Sequence, residues 1–294
     1  MKTENKINYW ILASRPKTLP AAVVPVMVGS ALAINQGKFY PLYSVIALIC
    51  SLLIQVGTNF TNDLYDHLKG ADTEKRKGPL RVLSAGLISV NEMRNAIILV
   101  FSLTFVLGLY LVYVTDWKIL VIGIFSIIAG LAYTAGPYPL AYHGLGDLFV
   151  FLFFGILGTM GTYYLHHQDF TIISFLVSLP VGALITNILI VNNYRDIEED
   201  KEAGKNTLAV ILGRQFSRYE YIFFLLLSFF VPFILYFEFH FNATIFLPYL
   251  TLPFAIILVK MIYNYQGQQL NKTLEVSAKY SALYGLLFSA GLII

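Results

Sequence analysis

Residues 171–200 read TIISFLVSLPVGALITNILIVNNYRDIEED, in which an uncharged run passes directly into a charged one. A helix needs about 20 mostly apolar residues to cross the hydrocarbon core of a bilayer. Residues 171–191 therefore predict a membrane helix whose end brings Asn, Arg, Asp and Glu side chains to the membrane surface. A closed barrel is the other structure that can span lipid, but the alternating pattern of barrel strands is absent from this sequence.

The rest of the chain has the same apolar character. Of its 294 residues, 57% are hydrophobic and 13% are charged, whereas soluble domains carry about 25% charged residues. This composition argues against a water-soluble globular fold and against disorder. The net charge of +3 is too small to indicate nucleic-acid binding as the main activity. We expect one domain over residues 1–294, embedded in a lipid bilayer, with no nucleic-acid partner and no obligate protein partner.

Nine segments of the chain are apolar enough to be transmembrane helices. Their apolarity continues around the whole helix, which is typical of membrane helices rather than of amphipathic surface helices. The predicted fold class is therefore all-α integral membrane, with nine transmembrane helices. The segments are residues 19–35, 41–58, 95–114, 118–135, 146–165, 171–191, 219–237, 244–264 and 276–294.

The positive charges divide unequally between the two sides of such a bundle. Eighteen of the 20 Lys and Arg residues lie on the same side as the N-terminus, and the two others are Lys38 and Lys118. Cytoplasmic loops of membrane proteins are enriched in Lys and Arg. The division predicts a multi-pass protein of the inner (cytoplasmic) membrane, with its N-terminus and the loops after the second and sixth helices in the cytoplasm.

Ten of the 17 acidic residues fall in two stretches, both on this predicted cytoplasmic side. In the first stretch, Asn59, Asn62, Asp63 and Asp66 have the spacing i, i+3, i+4, i+7, which places them on one helical face. Asp72 follows six residues after Asp66. The first stretch therefore predicts a helix end with an acidic and amide-bearing face.

In the second stretch, Asn192, Asp196 and Asp200 have the spacing i, i+4, i+8, which again predicts one helical face. Carboxylates that are stacked one turn apart repel each other, so they need cations between them. Oxygen ligands with few His or Cys suit Mg²⁺, which usually takes one or two carboxylates plus the phosphates of a substrate. Solvated loops rich in charge are the alternative, but the repeated spacing with Asn partners argues against them.

Basic residues flank both acidic stretches. Guanidinium and ammonium groups are suited to phosphate oxygens, so these residues and bound metal ions together predict a clamp for a diphosphate. The flanking cations are Lys69, Lys75, Arg76, Lys77 and Arg81 beside the first stretch, and Arg195 and Lys205 beside the second.

Two other polar features are expected to have structural roles. His166 and His167 fall on the outer side of the predicted bundle, which favours a solvated loop. Asp147 lies at the start of a predicted helix, where a carboxylate can cap free N–H groups. The alternative for Asp147 is that it lines an internal cavity.

The acidic stretches resemble the signatures of the UbiA superfamily of intramembrane aromatic prenyltransferases. The matching residues are Asn62-Asp63-Leu-Tyr-Asp66 and Asp196-Ile-Glu-Glu-Asp200. The position of Asp72 and the following Gly78-Pro-Leu-Arg81 are similar to the menaquinone branch of this superfamily. Other stretches that resemble the same branch are Arg15-Pro-Lys17-Thr18, Tyr142-His-Gly144-Leu-Gly146-Asp147 and Gly204-Lys205-Asn-Thr207-Leu.

This resemblance implies a nine-helix bundle around a central cavity that is open to lipid. It implies Mg²⁺-dependent transfer of a polyprenyl group from polyprenyl diphosphate to 1,4-dihydroxy-2-naphthoate, with loss of CO₂ and diphosphate, to give demethylmenaquinone. By the same resemblance, the catalytic carboxylates are Asp63, Asp66, Asp72, Asp196 and Asp200, and the metal ligands are Asn62, Asp66, Asp196 and Asp200. The implied diphosphate-binding residues are Lys69, Arg76, Arg81, Asn192, Arg195 and Lys205.

Five further residues are candidates for binding the aromatic acceptor or stabilising an allylic cation. They are Arg15, Lys17, Tyr133, Tyr138 and Tyr142. Arg15 and Lys17 have an equal alternative as anchors at the membrane interface. Each Tyr has a structural alternative, because the chain contains 20 Tyr and Tyr is common at membrane interfaces.

Two alternative functions remain open at this point. Another phenol, such as 4-hydroxybenzoate or homogentisate, is an alternative acceptor. A polytopic transporter would also be apolar with polar residues inside the membrane. Transporters usually place such residues near the midplane in broken helices, whereas these acidic stretches lie at one predicted membrane face.

Overall fold

The computed structural model of the chain describes residues 6–70, 78 and 80–294, and within these ranges the regular structure is entirely helical. The predicted site residues Asp72 and Arg76 lie outside the described residues. The helices, numbered in chain order, are α1 (Lys6–Ser14), α2 (Pro20–Asn35), α3 (Pro41–Leu68), α4 (Val90–Val114), α5 (Trp117–Ala132), α6 (Gly146–His167), α7 (Ile172–Arg195), α8 (Ile197–Glu202), α9 (Leu208–Phe239), α10 (Ala243–Asn264) and α11 (Leu270–Ile293).

Seven of the described helical segments are long and apolar enough to cross a membrane. They contain α3, α4, α6, α7, α9, α10 and α11. The pair formed by Lys6–Thr18 and Pro20–Asn35 qualifies as an eighth if it is one span bent by 53°. Helix α5 is apolar but has 16 residues, fewer than the roughly 20 that a straight span needs. The nine predicted segments thus fall mainly on helices, and seven meet the length criterion by themselves.

The helix ends follow from local sequence. Ser89 accepts a hydrogen bond from the backbone N–H of Glu92 and starts α4, with the Glu92 side chain completing a capping box. Thr171 starts α7 in the same way with Ser174. Such side-chain oxygens satisfy N–H groups that lack a partner in the first turn of a helix. Gly213, at φ 82°, interrupts α9 near its start, a backbone conformation that glycine adopts without steric cost.

Helix α7 lies at the centre of the bundle. In its most apolar window, 67% of the residues are buried, the largest share among the seven candidate spans. Its Leu184 belongs to a buried cluster with Leu32 of α2, Leu235 of α9 and Phe288 of α11. A separate buried cluster joins α3 to α4. Helix α7 is therefore packed against helices on several sides.

Apolar side chains also cover much of the outside of the bundle. On α4, Ile98 is 65% exposed, Leu99 68% and Val106 62%. An outward surface of this kind is costly in water and favourable in lipid. The exposed residues therefore agree with a bundle whose outer helices face the bilayer.

Two expectations for polar residues are wrong. His166 is 1% exposed, and its Nδ1 accepts a hydrogen bond of 3.1 Å from the Tyr40 backbone N–H. This hydrogen bond links the α2–α3 loop to the end of α6. The loop packs against that helix end, so the His166 side chain is buried instead of solvated. Asp147 is buried, and no side chain caps the start of α6, so the predicted capping role fails.

Helices α6 and α7 approach each other closely at a pair of glycines. A Cβ at Gly155 would lie 2.5 Å from the Cα of Gly182, and a Cβ at Gly182 would lie 2.9 Å from the carbonyl oxygen of Phe151. Small residues allow this kind of close backbone approach between membrane helices. The contact fixes α6 against the central helix.

We expect Gly155→Ala to destabilise the protein by about 1–3 kcal/mol, because the added methyl group meets backbone that cannot move aside. Thermal unfolding of the purified protein in detergent measures this change. Gly123→Ala is the matched control, since a Cβ at Gly123 has nothing within 4 Å. Equal melting temperatures for the two variants would contradict the packing described here.

Candidate functional site

A polar cavity lies where α3 and α7 end, and it contains residues from both acidic stretches. Its empty volume, including the part open to solvent, is about 1220 Å³. The polar residues that line it from the two stretches are Asn59, Asn62, Asp66, Asn192, Asn193, Asp196, Glu199 and Asp200. The structure thus brings together segments that are far apart in sequence.

The first acidic face is carried by α3, as the spacing predicted. Asn59 is 3% exposed, and its Nδ2 donates 2.9 Å to the backbone oxygen of Ser14. Asn62 lines the cavity, and its Oδ1 accepts a hydrogen bond from the hydroxyl of Thr134. Asn59 therefore fastens the N-terminal segment to α3, while Asn62 presents its amide to the cavity one turn further along the helix.

Asp66 is 2% exposed and has several polar partners. Its Oδ1 lies 2.9 Å from the Lys205 Nζ and accepts a hydrogen bond of 3.0 Å from the Tyr142 hydroxyl. Its Oδ2 accepts a hydrogen bond of 3.2 Å from an Arg81 Nη2. Charge-assisted bonds of this kind are the strongest hydrogen bonds in proteins. One carboxylate therefore holds three segments that are separate in sequence.

Two Lys ammonium groups lie over the ring of Tyr142, the residue whose hydroxyl bonds to Asp66. The Lys69 Nζ lies 4.2 Å from the centroid of the Tyr142 ring, and the Lys205 Nζ lies 5.0 Å from it. The Lys69 Nζ also donates 2.8 Å to the backbone oxygen of Thr134. Desolvation lowers the pKa of Lys69 from its ordinary value, while the neighbouring Asp66 carboxylate raises it and the Lys205 charge lowers it.

Asp63 is as buried as Asp66 and is not among the residues that line the cavity. It is 2% exposed, and its Oδ1 lies 3.9 Å from the Arg81 Nε. Arg81 thus stands between two carboxylates of α3. Asp63 helps to hold the Arg81 guanidinium beside the cavity.

The second acidic face differs from its prediction in one respect. Helix α7 ends at Arg195, and α8 begins at Ile197, so Asp196 joins two helices instead of lying inside one. The backbone N–H of Asp196 still bonds to the Asn192 oxygen at 3.1 Å, and that of Asp200 bonds to the Asp196 oxygen at 2.8 Å. These i to i+4 bonds carry the chain through the junction, so Asn192, Asp196 and Asp200 all line the cavity.

Arg195 holds Asp196 in place. It is 1% exposed, and it donates from Nε at 2.7 Å and from Nη2 at 2.6 Å to the two carboxylate oxygens of Asp196. Its Nη1 donates 2.8 Å to Asn271, and its Nη2 donates 2.9 Å to Asn192. A bidentate guanidinium–carboxylate pair fixes both orientation and charge. The geometry of Arg195 is that of a positioning residue.

The candidates for acceptor binding and cation stabilisation divide into two groups. Arg15 and Tyr133 line the polar cavity, and Tyr142 contacts Asp66. The Lys17 side chain is 71% exposed and lies 2.9 Å from Glu275. Tyr138 is 58% exposed and stacks on His143, with the ring centroids 3.6 Å apart.

The cavity lining includes some of the predicted residues and leaves out others. Of the described candidates, those not among the cavity-lining residues are Lys17, Asp63, Lys69, Tyr138, Tyr142 and Arg195. Sequence reasoning also missed Thr134, which bonds to Asn62, and Asn271, which bonds to Arg195. Neither residue belongs to a motif, and a single Thr or Asn carries no periodic signal.

An apolar cavity adjoins the polar one. It has an empty volume of about 1310 Å³, and side chains of α3, α4, α5 and α6 form most of its wall. The two cavities share the wall residues Thr58, Tyr133, Val150 and Phe154. Tyr133 therefore stands at the junction between a charged space and an apolar one.

The donor set of the polar cavity fits a hard divalent cation. Among the described residues, no three His, Cys, Asp or Glu side chains are gathered into a closed metal site. The cavity instead offers oxygens of Asn62, Asp66, Asp196 and Asp200 from two sides. An open set of oxygen ligands suits Mg²⁺, which typically completes its coordination with water and substrate phosphates.

These features define a class of protein. The bundle has the length and apolarity of a multi-pass membrane protein, and its charged cavity continues into an apolar one. Such a site suits an amphiphilic ligand with an anionic head and a hydrocarbon tail.

The chain belongs to the UbiA prenyltransferase family, whose sequence model matches residues 22–283. It is 38% identical to the 1,4-dihydroxy-2-naphthoate octaprenyltransferase of Haemophilus influenzae, over 98% of this chain and 97% of that protein. It is 42% identical to the Escherichia coli protein of the same name, over 74% and 73% of the two chains. It is 31% identical to the human UbiA prenyltransferase domain-containing protein 1, over 98% and 84%.

The fold is also similar to solved structures. A UbiA homolog from Archaeoglobus fulgidus bound to GPP and Mg²⁺ superposes with a TM-score of 0.71, covering 97% of this chain and 100% of that one at 18% identity. Because the sequence identity is low, this structural likeness is evidence for the fold alone. It agrees with the all-helical architecture described above.

We expect Arg195→Met to destabilise the protein by about 3–5 kcal/mol, because it leaves the buried Asp196 carboxylate without its guanidinium. Thermal unfolding in detergent measures the loss. Lys279→Met is the matched control: it breaks an exposed pair of 2.7 Å with Glu275, and exposed pairs contribute about 0–1 kcal/mol. A melting temperature for Arg195→Met within the range of the control would refute the positioning role.

Proposed function

We propose that this protein transfers a polyprenyl group from polyprenyl diphosphate to 1,4-dihydroxy-2-naphthoate, with loss of CO₂ and diphosphate, to give demethylmenaquinone. The observation that carries the proposal is the junction at Tyr133, where the polar cavity meets the apolar one. A prenyl diphosphate placed there has its charged head among the acidic and basic side chains and its chain among apolar ones. The names of the bacterial relatives supply the acceptor.

Mg²⁺ is the proposed cofactor. Asn62 and Asp66 on one side, and Asp196 and Asp200 on the other, would hold it by their oxygens. When bound, the metal would neutralise charge that develops on the leaving diphosphate. The fit of these oxygen ligands to Mg²⁺ and the solved homolog bound to GPP and Mg²⁺ support this part of the proposal.

The chain's own cations would bind the diphosphate. Arg81 and Lys205 already lie beside Asp66, and Lys69 stands over Tyr142. Asn192 lines the same cavity and offers an amide donor. Arg76 stays a predicted contact, as Asp72 stays a predicted catalytic carboxylate, and both lie outside the described residues. Arg195 acts by orienting Asp196, and Asp63 acts by orienting Arg81.

The carbon–oxygen bond of the allylic diphosphate breaks with its electron pair leaving on the diphosphate. Tyr133 and Phe154 line both cavities, and their proposed role is to stabilise the resulting allylic cation. Aromatic faces stabilise cations by about 2 kcal/mol or more in desolvated sites. The ring carbon that bears the carboxylate forms the new carbon–carbon bond. Its bond to the carboxylate then breaks, and the electron pair returns to the ring as CO₂ leaves, which restores aromaticity. Arg15, which lines the polar cavity, is the proposed partner of that carboxylate.

The finer architecture is part of the proposal. We propose nine transmembrane helices in a single domain over residues 1–294, with the central cavity open to lipid. We also propose residence in the inner membrane, with the N-terminus and the acidic helix ends in the cytoplasm. The division of Lys and Arg, eighteen on one side and two on the other, supports this orientation under the positive-inside rule.

Membranes that contain the protein test the activity directly. With 1,4-dihydroxy-2-naphthoate, a polyprenyl diphosphate and Mg²⁺, we expect demethylmenaquinone, detected by mass spectrometry, and no product when EDTA removes the metal. Product from 4-hydroxybenzoate or homogentisate but not from the naphthoate would indicate a different acceptor. Movement of a solute into vesicles without any Mg²⁺-dependent prenyl transfer would instead favour a transporter.

We expect Asp66→Ala and Asp196→Ala each to lower the rate of prenyl transfer by at least about 10²-fold, because each removes a proposed ligand of the Mg²⁺ that would neutralise the leaving diphosphate. The rate is measured at saturating substrates on protein that elutes as a single species in detergent. Glu202→Ala is the control, since Glu202 is an exposed carboxylate at the end of α8. Near-normal turnover by either Asp variant would refute its assignment.

A further inference from the structure

Each side of the polar cavity has a proposed metal-binding carboxylate that is already neutralised by cations of the chain itself. Asp196 is held by Arg195 through two hydrogen bonds. Asp66 is held by Arg81 at 3.2 Å and by Lys205 at 2.9 Å. A divalent cation that approaches either carboxylate therefore meets positive charge.

The two sets of cations differ in how firmly they are fixed. The Arg195 side chain is 1% exposed and bonds to Asp196, Asn192 and Asn271. The Lys205 side chain is 13% exposed and forms its ion pair with Asp66. Lys205 follows Gly204, which has φ 70°, in the turn after α8. Its four-carbon stem lets the ammonium move several ångströms while the backbone stays in place.

The Lys205 ammonium pairs with Asp66, the proposed metal ligand. Lys205 also lines the cavity proposed for the diphosphate. The ammonium is 2.9 Å from Asp66 Oδ1, so it neutralises the oxygen that would bind the metal. Its positive charge also repels an incoming metal ion. A diphosphate in the cavity offers the ammonium several anionic oxygens in place of one. Lys205 can then leave Asp66 and still have an anionic partner. The Asp66 Oδ1 atom, which also accepts the hydrogen bond from the Tyr142 hydroxyl, then has a lone pair available for the metal.

We propose that Lys205 is a displaceable counter-cation that makes metal binding at Asp66 depend on the presence of diphosphate. This inference rests on the proposed function, and it assigns Lys205 a positioning role beyond that of a diphosphate contact. Metal and diphosphate are then coupled ligands, and by linkage each raises the affinity of the other by the same factor. The site stays largely free of metal until the donor arrives.

Isothermal titration calorimetry on the full-length protein in nanodiscs tests the coupling. Mg²⁺ is titrated with and without inorganic pyrophosphate, and the free Mg²⁺ concentration is corrected for its complex with pyrophosphate. For the wild type, we expect weak binding of Mg²⁺ alone and binding about fivefold to 150-fold tighter with pyrophosphate, the usual range for coupled sites.

Lys205→Met is the decisive variant. The substitution removes the ammonium and keeps an unbranched apolar stem. We therefore expect the variant to bind Mg²⁺ alone at least about fivefold more tightly than the wild type does. The enhancement by pyrophosphate should shrink in the same variant. Lys205→Arg restores the charge, and we expect it to restore the weak binding of Mg²⁺ alone. Lys201→Met removes an exposed Lys from α8 and is expected to match the wild type.

The outcomes separate the inference from the function on which it rests. If Lys205→Met binds Mg²⁺ alone as weakly as the wild type, or more weakly, the counter-cation role is wrong although the proposed function stands. If the wild type binds no Mg²⁺ even with pyrophosphate, the proposed metal site itself fails, and the inference fails with it. Thermal unfolding of each variant shows that the comparison is made between folded proteins.

Discussion

The ion pairs of one buried carboxylate organise the site. Asp66, at the end of α3, binds Lys205 from the turn after α8, Arg81 from the segment before α4, and the Tyr142 hydroxyl from the loop before α6. A buried carboxylate that loses its partners is costly, because the protein interior solvates charge poorly. The contacts to Asp66 therefore hold these segments together at one point. The same requirement places acidic, basic and aromatic groups around one cavity.

Much of this arrangement could be predicted from the sequence, because it depends on periodic patterns. The spacing of Asn62, Asp63 and Asp66 repeats with the helical turn, and the structure confirms that the three lie on α3. The apolar segments predict the helices, and the acidic stretches predict the ends of two of them, α3 and α7. The family match confirms the resemblance carried by the Asp motifs. The break at Asp196 is a departure from this periodic pattern.

What the sequence could not predict depends on contacts between distant segments. The sequence places Lys17 and Tyr138 beside site motifs, whereas the structure exposes both side chains. It predicts Arg195 as a diphosphate contact and cannot show that Arg195 bonds to Asp196 and Asn271. It predicts a solvated His166, because a hydropathy pattern cannot show that the α2–α3 loop contacts this side chain. In each case the surroundings of the side chain depend on a tertiary partner that the local sequence does not identify.

The polar and apolar cavities meet at shared lining residues that include Tyr133 and Phe154. This boundary has a consequence for the two ends of a bound ligand. A ligand that lies across this boundary has one end among polar side chains and the other among apolar ones. A reaction that breaks a bond at the boundary would leave the ionic half among polar groups and the hydrocarbon half among apolar groups. Each half would then already lie in surroundings that match its solubility.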